Sequence, residues 1–516
     1  MHKKLFISLA LASLFVLGSC KKEYNIPQNY EYSKDSLAIF PDYKDIIVPP
    51  NIAPLNFKVD IQAKNILAEV CANKQTVVIP ANEMNEIRFD EKVWKDLIKN
   101  EHGKGISIHI FAETEKGWMR YQDFRIDVAP EEIDRYVSYR LIEPGYELYR
   151  QMGLYQRDLE CFEEKAIYEN NRVHDLENNH CVNCHNYQNH STEKMLFHVR
   201  GAHGGTIICN GQKIEKLDMK NDSILGPSVY PSWHPKMNCI AFSSNMTGQS
   251  FHILDQEKVE VVDGESDLVY FNVDKRSIKN VLKTKTDLEN FPCWNPQGDK
   301  LYYCVAHVPQ LDSLNQEESY LYFLNHYKEI KYNIMSLDFD SKKESFSNPQ
   351  LVVNCSAEGK SASVPRISPD GKYLLFTKGD YGQFHIWHKS SDLWVKNLQD
   401  STTYALSAAN SKDVDSYHCW SSNGRWIVFS SRRDDGNFTR LYIAYFDKNG
   451  KAHKAFMLPQ ESPQDNILLL KSYNVPELTK DALKCDENSF KEVIYKQEAK
   501  RVDYKDTVSK SVSDKQ

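Results

Sequence analysis

The residues best suited to chemistry are two cysteines and a histidine in one short segment, Cys181-Val182-Asn183-Cys184-His185. Two thiols three positions apart, on one helical turn, can each add to a vinyl group of haem. The adjoining imidazole can then bind the haem iron from the proximal side. The sequence therefore predicts one covalent haem c, with Cys181 and Cys184 as attachment residues and His185 as the proximal iron ligand.

The second axial ligand of the iron is expected among the residues that follow within twenty positions. Met195 and His198 are the leading candidates, ahead of His190 and His203. A methionine ligand would raise the reduction potential, a second histidine would lower it, and an open position would admit small ligands. Met195 is also an ordinary candidate for the core of a strand.

Two other interpretations of the motif stay open. The motif resembles the attachment site of c-type cytochromes, but Cys181 and Cys184 could instead bind zinc with His180 or His190. The two cysteines could also form a redox-active pair or a disulfide. A haem remains the leading prediction because the cysteine spacing and the adjoining histidine both match it.

The first twenty residues indicate export. A positively charged start at 1–4 precedes an apolar run at 5–16, and Leu17-Gly18-Ser19-Cys20 resembles the lipobox of bacterial lipoproteins. The resemblance implies a signal peptide at 1–19 and acyl chains on Cys20, which would anchor the protein to membrane lipid. We expect a location in the cell envelope, at the outer membrane, facing the periplasm or the outside. Because haem c is attached outside the cytoplasmic membrane, the two motifs agree.

Composition favours a large protein rich in β-structure. A chain of 516 residues exceeds the length at which single cores usually divide, so we expect more than one domain. Its 29 tyrosines and 23 phenylalanines favour strands. A net charge of -7 and the absence of a long basic run argue against nucleic acid as a partner.

Four segments repeat one pattern: an aromatic residue or valine, usually proline, an anchor residue, a turn and an apolar strand. They are YPSWHPKMNCIAFSSN (230–245), FPCWNPQGDKLYYCVA (291–306), VPRISPDGKYLLFTKG (364–379) and YHCWSSNGRWIVFSSR (417–432). The anchors, Trp233, Trp294, Ile367 and Trp420, are expected to pack between neighbouring units. Repeats at this interval indicate a β-propeller, and they resemble the repeats of TolB-like proteins. A degenerate repeat at 195–220 brings the expected number of blades to five or six.

The predicted fold class is mainly β, with an N-terminal β-sandwich, a helical haem-bearing connector and a C-terminal propeller. The expected segments are a signal peptide (1–19), a tether (20–50), a β-sandwich (51–130), a helical connector with the haem motif (131–194), a TolB-like propeller (195–478) and a charged tail (479–516). The connector is predicted from Leu148, Met152, Leu159, Phe162 and Ile167, which recur at helical spacing. At most one amphipathic helix is expected in the tail.

No hydrolase signature is present in the sequence. The chain contains no G-x-S-x-G, phosphate loop, dinucleotide fingerprint or H-E-x-x-H. The sequence therefore favours electron transfer to or from a docked redox partner over hydrolysis. Two alternatives remain: a TolB-like envelope scaffold with a structural or sensory haem, and a haem enzyme acting on a small molecule.

Overall fold

A computed structural model describes residues 24–72, 75–99, 101, 103–143, 151–170, 178–252, 254, 257 and 259–505. The predicted signal peptide and Cys20 lie outside these residues. The described chain is mainly β and forms a propeller-type fold beside a smaller N-terminal unit. Among its described helices, none is both long enough and apolar enough to cross a membrane.

The N-terminal unit contains two sheets that share one apolar core. Its elements are β1 (Glu31–Tyr32), β2 (Ile39–Phe40), β3 (Ile46–Val48), β4 (Phe57–Val59), β5 (Ile66–Ala72), β6 (Gln75–Pro80), β7 (Glu86–Ile87), α1 (Glu91–Lys99), β8 (Gly105–Thr114), β9 (Gly117–Arg120) and β10 (Phe124–Val128). A seven-stranded sheet contains β1, β3, β5, β6, β8, β9 and β10, and a three-stranded sheet has the order β2-β4-β7. Trp94, Leu97 and Ile98 of α1 are buried in the same core.

The predicted tether (20–50) is shorter than expected, because folded strands begin at residue 31. Residues 31–48 supply three strands to the N-terminal unit, and Ile39, Tyr43, Ile46 and Val48 are buried in its core. The prediction was wrong for this part because these strands are only two or three residues long, too short to show an alternating pattern.

The remaining strands form six sheets, which we number 1 to 6. Sheet 1 has β14 (His180–Gln188), β15 (Ser191–Gly201), β16 (Gly205–Asn210), β17 (Lys213–Asp218) and β35 (Lys500–Arg501); sheet 2 has β18 (Ser228–Trp233), β19 (Cys239–Phe251), β20 (Val259–Asn272), β21 (Ser277–Leu282) and β36 (Asp503–Tyr504); sheet 3 has β22 (Asp287–Trp294), β23 (Lys300–His307), β24 (Asn333–Asp340) and β25 (Ser345–Val353). Sheet 4 has β26 (Ser361–Ile367), β27 (Tyr373–Gly379), β28 (Asp392–Asn397) and β29 (Thr403–Ala405); sheet 5 has β30 (Asp415–Trp420), β31 (Trp426–Ser431), β32 (Arg440–Tyr445) and β33 (Phe456–Met457); sheet 6 has β34 (Ser472–Thr479), β11 (Tyr136–Ile142), β12 (Gly153–Asp158) and β13 (Glu164–Glu169).

The six sheets form a closed ring. The inner strands β14, β18, β22, β26, β30 and β34 each contact the next, and β34 also contacts β14. Sheet 6 closes the ring with strands from distant parts of the chain. Its inner strand β34 pairs antiparallel with β11, from Tyr136 opposite Thr479 to Ile142 opposite Ser472. The apolar cores lie largely between neighbouring sheets.

The prediction of a helical connector at 131–194 was wrong, because its described residues form strands. Residues 136–142, 153–158 and 164–169 are the outer strands of sheet 6, and the haem motif lies on strand β14 inside the ring. Met152, Leu159 and Ile167 are buried, and Leu148 lies outside the described residues. The helical spacing of these residues gave a wrong prediction because it reflects local sequence only. Strand β11 pairs with β34, which lies about 330 residues further along the chain, and local periodicity does not encode that pairing.

The four sequence repeats form the inner hairpins of sheets 2 to 5. Their anchor residues end the inner strands, and two of them bond to the preceding sheet. Trp294 Nε1 donates to the carbonyl oxygen of Ser232 at 3.1 Å, and Trp420 Nε1 donates to that of Arg366 at 3.1 Å. The prediction that these anchors pack between neighbouring units is confirmed for Trp294 and Trp420.

The other helices lie between or after the ring strands. They are α2 (Gln316–His326), α3 (Asp465–Leu468) and α4 (Glu487–Lys496), with 3-10 turns at Pro309–Asp312, Tyr327–Glu329 and Ser356–Glu358. The predicted amphipathic helix of the tail is α4, which buries Phe490, Val493 and Ile494. The tail then adds β35 and β36 to sheets 1 and 2, so it is part of the ring up to residue 504.

Candidate functional site

The predicted haem motif lies on an inner strand with a β-bulge. On β14, Cys181 pairs with Arg200 and Asn183 with His198, but the next pair is Asn186 with Leu196. Cys184 and His185 therefore lie opposite the single residue Phe197, which makes a bulge with one extra residue, and Cys184 has a φ of 55°. The thiols stand on a bulged strand rather than on a helical turn.

The same backbone recurs in every sheet of the ring. The residues with positive φ on the inner strands are Cys184, Tyr230, Phe291, Val364, Tyr417 and Val475, with φ between 47° and 55°. The residues that follow them are His185, Pro231, Pro292, Pro365, His418 and Pro476. A positive φ is unfavourable for valine and for aromatic residues, so a shared bulge at all six positions is a feature of the fold. The motif thus occupies a standard position of the repeat.

The inner strands surround a central cavity of about 520 Å³. Cys181, Cys184 and His185 all border it. Aromatic rings from other sheets lie around it, with the centroids of Tyr230 and Phe291 4.1 Å apart. Burial raises the pKa of Tyr230 and of Tyr417, and the nearby Cys184 thiol adds to both shifts. Cys184 therefore lies close to side chains of sheets 2 and 5.

His185 is buried and keeps its imidazole neutral. Burial, reinforced by the positive charge of Arg140, lowers the pKa of His185 to about 3, and the backbone of Ser138 offsets part of this shift. Neither ring nitrogen makes a well-oriented hydrogen bond with the described residues. Neither Cys181 nor Cys184 forms a disulfide with another cysteine in the described part of the chain. The cavity is therefore bordered by two free thiols and an imidazole whose lone pair is not engaged.

Three arginines and two glutamates, Glu143 and Glu477, border the cavity. Arg140, Arg200 and Arg366 border the cavity, and within the described part of the chain none of them forms an ion pair with a carboxylate. Arg140 donates to the carbonyl oxygen of Val182 at 3.3 Å, while its Nε atom lacks a partner. An anionic group in the cavity would find unpaired guanidinium donors.

Three hydrogen bonds join inner strands of neighbouring sheets beside the cavity. Each bond runs from a backbone N–H near the end of an inner strand to a side chain of the neighbouring inner strand. Trp233 N donates to Asn186 Oδ1 at 2.9 Å, and Trp294 N donates to Ser232 Oγ at 3.2 Å. At the closure of the ring, Tyr187 N donates to Glu477 Oε1 at 3.0 Å. Burial raises the pKa of Glu477 to about 7.

The two leading candidates for the distal ligand do not border the cavity. Met195 is fully buried in the core between sheets 6 and 1. His198 is buried, and its Nδ1 lies 2.9 Å from Thr206 Oγ1. His203 Nε2 lies 2.7 Å from Asn178 Oδ1. Of the four candidates only His190 borders the cavity, with its Nδ1 3.0 Å from the carbonyl oxygen of Leu478.

The zinc interpretation of the motif finds no support in the described residues. Only one group there brings three metal-ligand atoms within 4.8 Å of one another, and it is Glu69, Cys71 and His109 of the N-terminal unit. Cys181 and Cys184 do not belong to it. For haem the donor set fits, because thioether attachment needs free thiols, and iron needs a neutral imidazole.

Two features of the site were not predicted from the sequence: the position of the motif within the repeat, and the three cavity arginines. The position of the motif could have been found, because Cys184-His185-Asn186-Tyr187 aligns with Tyr417-His418-Cys419-Trp420 of the fourth repeat. The arginines were not, because they come from β11, β15 and β26, and only the closed ring brings them together.

Comparisons with known proteins give distant structural likenesses only. No protein-family model matches the chain, and no curated protein sequence matches it. An oligogalacturonate lyase in complex with manganese has a TM-score of 0.35 at 10% identity, over 63% of this chain and 74% of that one. A GH74 enzyme of Niastella koreensis has a TM-score of 0.36 at 11% identity, over 61% of this chain and 44% of that one. The periplasmic gluconolactonase of Pseudomonas aeruginosa has a TM-score of 0.27 at 10% identity, over 62% and 82%.

Proposed function

We propose that this chain is an extracytoplasmic haem c protein in which a six-bladed, TolB-like propeller encloses the haem site, and that it transfers electrons to or from a docked partner. The observation that carries the proposal is the border of the central cavity, where, among the described residues, two free thiols and a neutral imidazole occur together. The six blades are sheets 1 to 6.

The residues have separate roles in this proposal. Cys181 and Cys184 hold the haem through thioether bonds, and His185 offers a ring nitrogen to the iron. Arg140, Arg200 and Arg366 pair with the carboxylate groups of the macrocycle, because unpaired guanidiniums bind carboxylates strongly. A haem bound in this way supplies one-electron chemistry.

Arg140 has a second role in the proposal. Its charge lowers the pKa of His185 together with burial, so the imidazole stays unprotonated at neutral pH. A protonated imidazole cannot bind iron, and burial, with a smaller contribution from this arginine, keeps the ligand neutral. The same guanidinium therefore serves both the macrocycle and its ligand.

Location follows from the lipid anchor expected on Cys20. Acyl chains there would hold the cavity near a membrane surface, where an envelope redox protein can reach it. We propose the outer membrane as this location, with the protein facing the periplasm or the outside.

A second candidate is a TolB-like scaffold that binds an envelope protein, with the haem structural, sensory or absent. The observation that favours it is the equivalence of Cys184-His185 and Tyr417-His418, which shows that histidine is accepted at this repeat position without a cysteine pair. A small-molecule haem enzyme is a third candidate, and it would require an open position on the iron.

The deciding experiment is an absorbance spectrum of denatured protein. The full chain is produced in a host that attaches haem c, then unfolded and extracted with acidified organic solvent. We expect haem absorbance to stay with the polypeptide, and to be lost from the chain in Cys181→Ala/Cys184→Ala. The matched control, Cys419→Ala, removes a thiol that also borders the cavity and should retain it. No covalent haem in the unaltered chain would overturn the proposal.

Coordination of the iron then separates the candidate functions. Six-coordinate low-spin iron that ignores carbon monoxide supports electron transfer, whereas five-coordinate iron that binds it supports catalysis or sensing. His190→Ala is the informative variant for a second ligand, because His190 borders the cavity and Met195 does not. Partner capture that survives loss of Cys181 and Cys184 supports the scaffold.

A further inference from the structure

We infer that Glu69, Cys71 and His109 of the N-terminal unit form a binding site for one zinc-like divalent metal ion. The ligand atoms of these three side chains lie within 4.8 Å of one another. They are separate from the central cavity and from the haem motif. The inference is independent of the proposed function.

Strand register builds the site. Strands β5 and β8 are antiparallel neighbours, and Glu69 lies directly opposite His109. Cys71 lies two positions after Glu69, so both project from the same face of β5. The alternate residues Ala68, Val70 and Ala72 are buried in the core, which leaves Glu69 and Cys71 half-buried on the outer face. The sheet thus presents a sulfur, a nitrogen and an oxygen ligand together.

A carboxylate on the far side of the histidine supports the site. His109 Nδ1 lies 2.8 Å from Glu69 Oε2, and His109 Nε2 lies 3.6 Å from Asp123 Oδ2. Metal-binding histidines commonly donate their other ring N–H to a carboxylate, which fixes the ring and its tautomer. Arg120 in turn holds Asp123, with Nη2 3.0 Å from its Oδ2. Asp123 thus lies on the side of the ring where an orienting carboxylate is expected, at ion-pair distance and slightly beyond hydrogen-bond distance.

The donor set selects the class of metal. A thiolate, an imidazole and a carboxylate suit zinc, whereas magnesium and calcium prefer oxygen ligands alone. Three protein ligands leave the fourth tetrahedral position of zinc for water. The side chains of Glu69 and His109 are 24% and 18% exposed, so solvent reaches the site. On binding, the Cys71 thiol releases its proton to water and the thiolate bonds to the metal.

The test is a zinc and cobalt titration of the full chain, freed of metal beforehand. We expect one Zn²⁺ per chain, measured against a competing chromophoric chelator. Co²⁺ should give a thiolate-to-cobalt charge-transfer band, which reports a sulfur ligand directly. Cys71→Ala and His109→Ala should each weaken binding at least ~100-fold, and Cys71→Ser should abolish the band. Asp123→Asn should weaken binding by ~10 to ~100-fold, as loss of an orienting partner does.

Two controls separate this site from other thiols. Cys161→Ala removes a half-buried thiol elsewhere, and Cys181→Ala/Cys184→Ala removes the predicted haem attachment; both should bind zinc as the unaltered chain does. Far-UV circular dichroism checks that each variant folds. The inference is overturned if the unaltered chain has no saturable zinc site. It is equally overturned if zinc binding persists in Cys71→Ala/His109→Ala.

Discussion

The backbone N–H of Tyr187 donates a hydrogen bond to the carboxylate of Glu477 at 3.0 Å, and this bond joins the first inner strand of the ring to the last. The same carboxylate accepts a bond from Asn186 Nδ2 at 3.1 Å. A side chain of the closing strand therefore holds the strand that carries the Cys-x-x-Cys-His motif. Glu477 therefore links the closing strand of the ring to the strand of the candidate site.

Glu477 makes stability depend on pH. Its folded pKa of about 7 is raised by burial above the ordinary glutamate value of about 4.3. The folded state therefore holds the proton more tightly, and stability should fall as pH rises from about 4.3 to 7 and then level off. The fall is at most about 4 kcal/mol, and less because part of the side chain faces the cavity. Urea unfolding at several pH values measures it. Glu477→Gln keeps the acceptor and should make this slope smaller, with the remainder due to other buried carboxyl groups such as Asp267; an unchanged slope would contradict the assignment.

His185 and His418 occupy equivalent repeat positions, and we expect replacement by proline to have different consequences at the two positions. Proline occupies this repeat position in four of the six sheets: Pro231, Pro292, Pro365 and Pro476. His418→Pro should therefore fold with a melting temperature within about 3 °C of the unaltered chain. His185→Pro should fold equally well yet lose iron ligation, which the absorbance spectrum reports. Unfolding of His418→Pro would show that the two positions are not interchangeable.

Cys209 and Cys485 should form a disulfide on mild oxidation. Their Sγ atoms lie 3.2 Å apart, although the residues are 276 positions apart in the chain. Oxidised glutathione accepts the two electrons and leaves as two glutathione thiols, while the two cysteine sulfurs bond. The bond ties the tail to sheet 1 and should stabilise the protein by about 2 to 4 kcal/mol. Mass spectrometry of unreduced peptides detects it, and Cys485→Ser is the control. A linkage of Cys209 to any other cysteine would refute the prediction.

Leu478 tests the closure of the ring. Its side chain is fully buried, and it lies opposite Val137 of β11. Leu478→Ala should lower the free energy of unfolding by about 2 to 5 kcal/mol, because a large buried side chain leaves a cavity. Leu254→Ala is the matched control, since that leucine is 97% exposed and should change stability by less than about 0.5 kcal/mol. Equal effects of the two changes would contradict the closure described here.

Local sequence patterns predicted the hairpins well and the closure poorly. The recurring Trp-turn-strand segments identified sheets 2 to 5, because their turns and apolar strands are encoded within about sixteen residues. Sheet 6 was missed since β11 and β34 meet only when the whole chain has folded. The motif itself was found at once, but its strand conformation was not, because the bulge at Cys184 is imposed by the ring.

Ring closure also sets an order of events in time. The chain leaves the ribosome from its N-terminus, so residues 181–185 emerge almost 290 residues before β34. During that interval sheet 6 lacks its inner strand, and the bond from Tyr187 to Glu477 cannot form. If haem is attached to Cys181 and Cys184 as proposed, the attaching enzyme would meet an open strand before the ring is complete. The arrival of β34 would then close the wall of the cavity around the attached group.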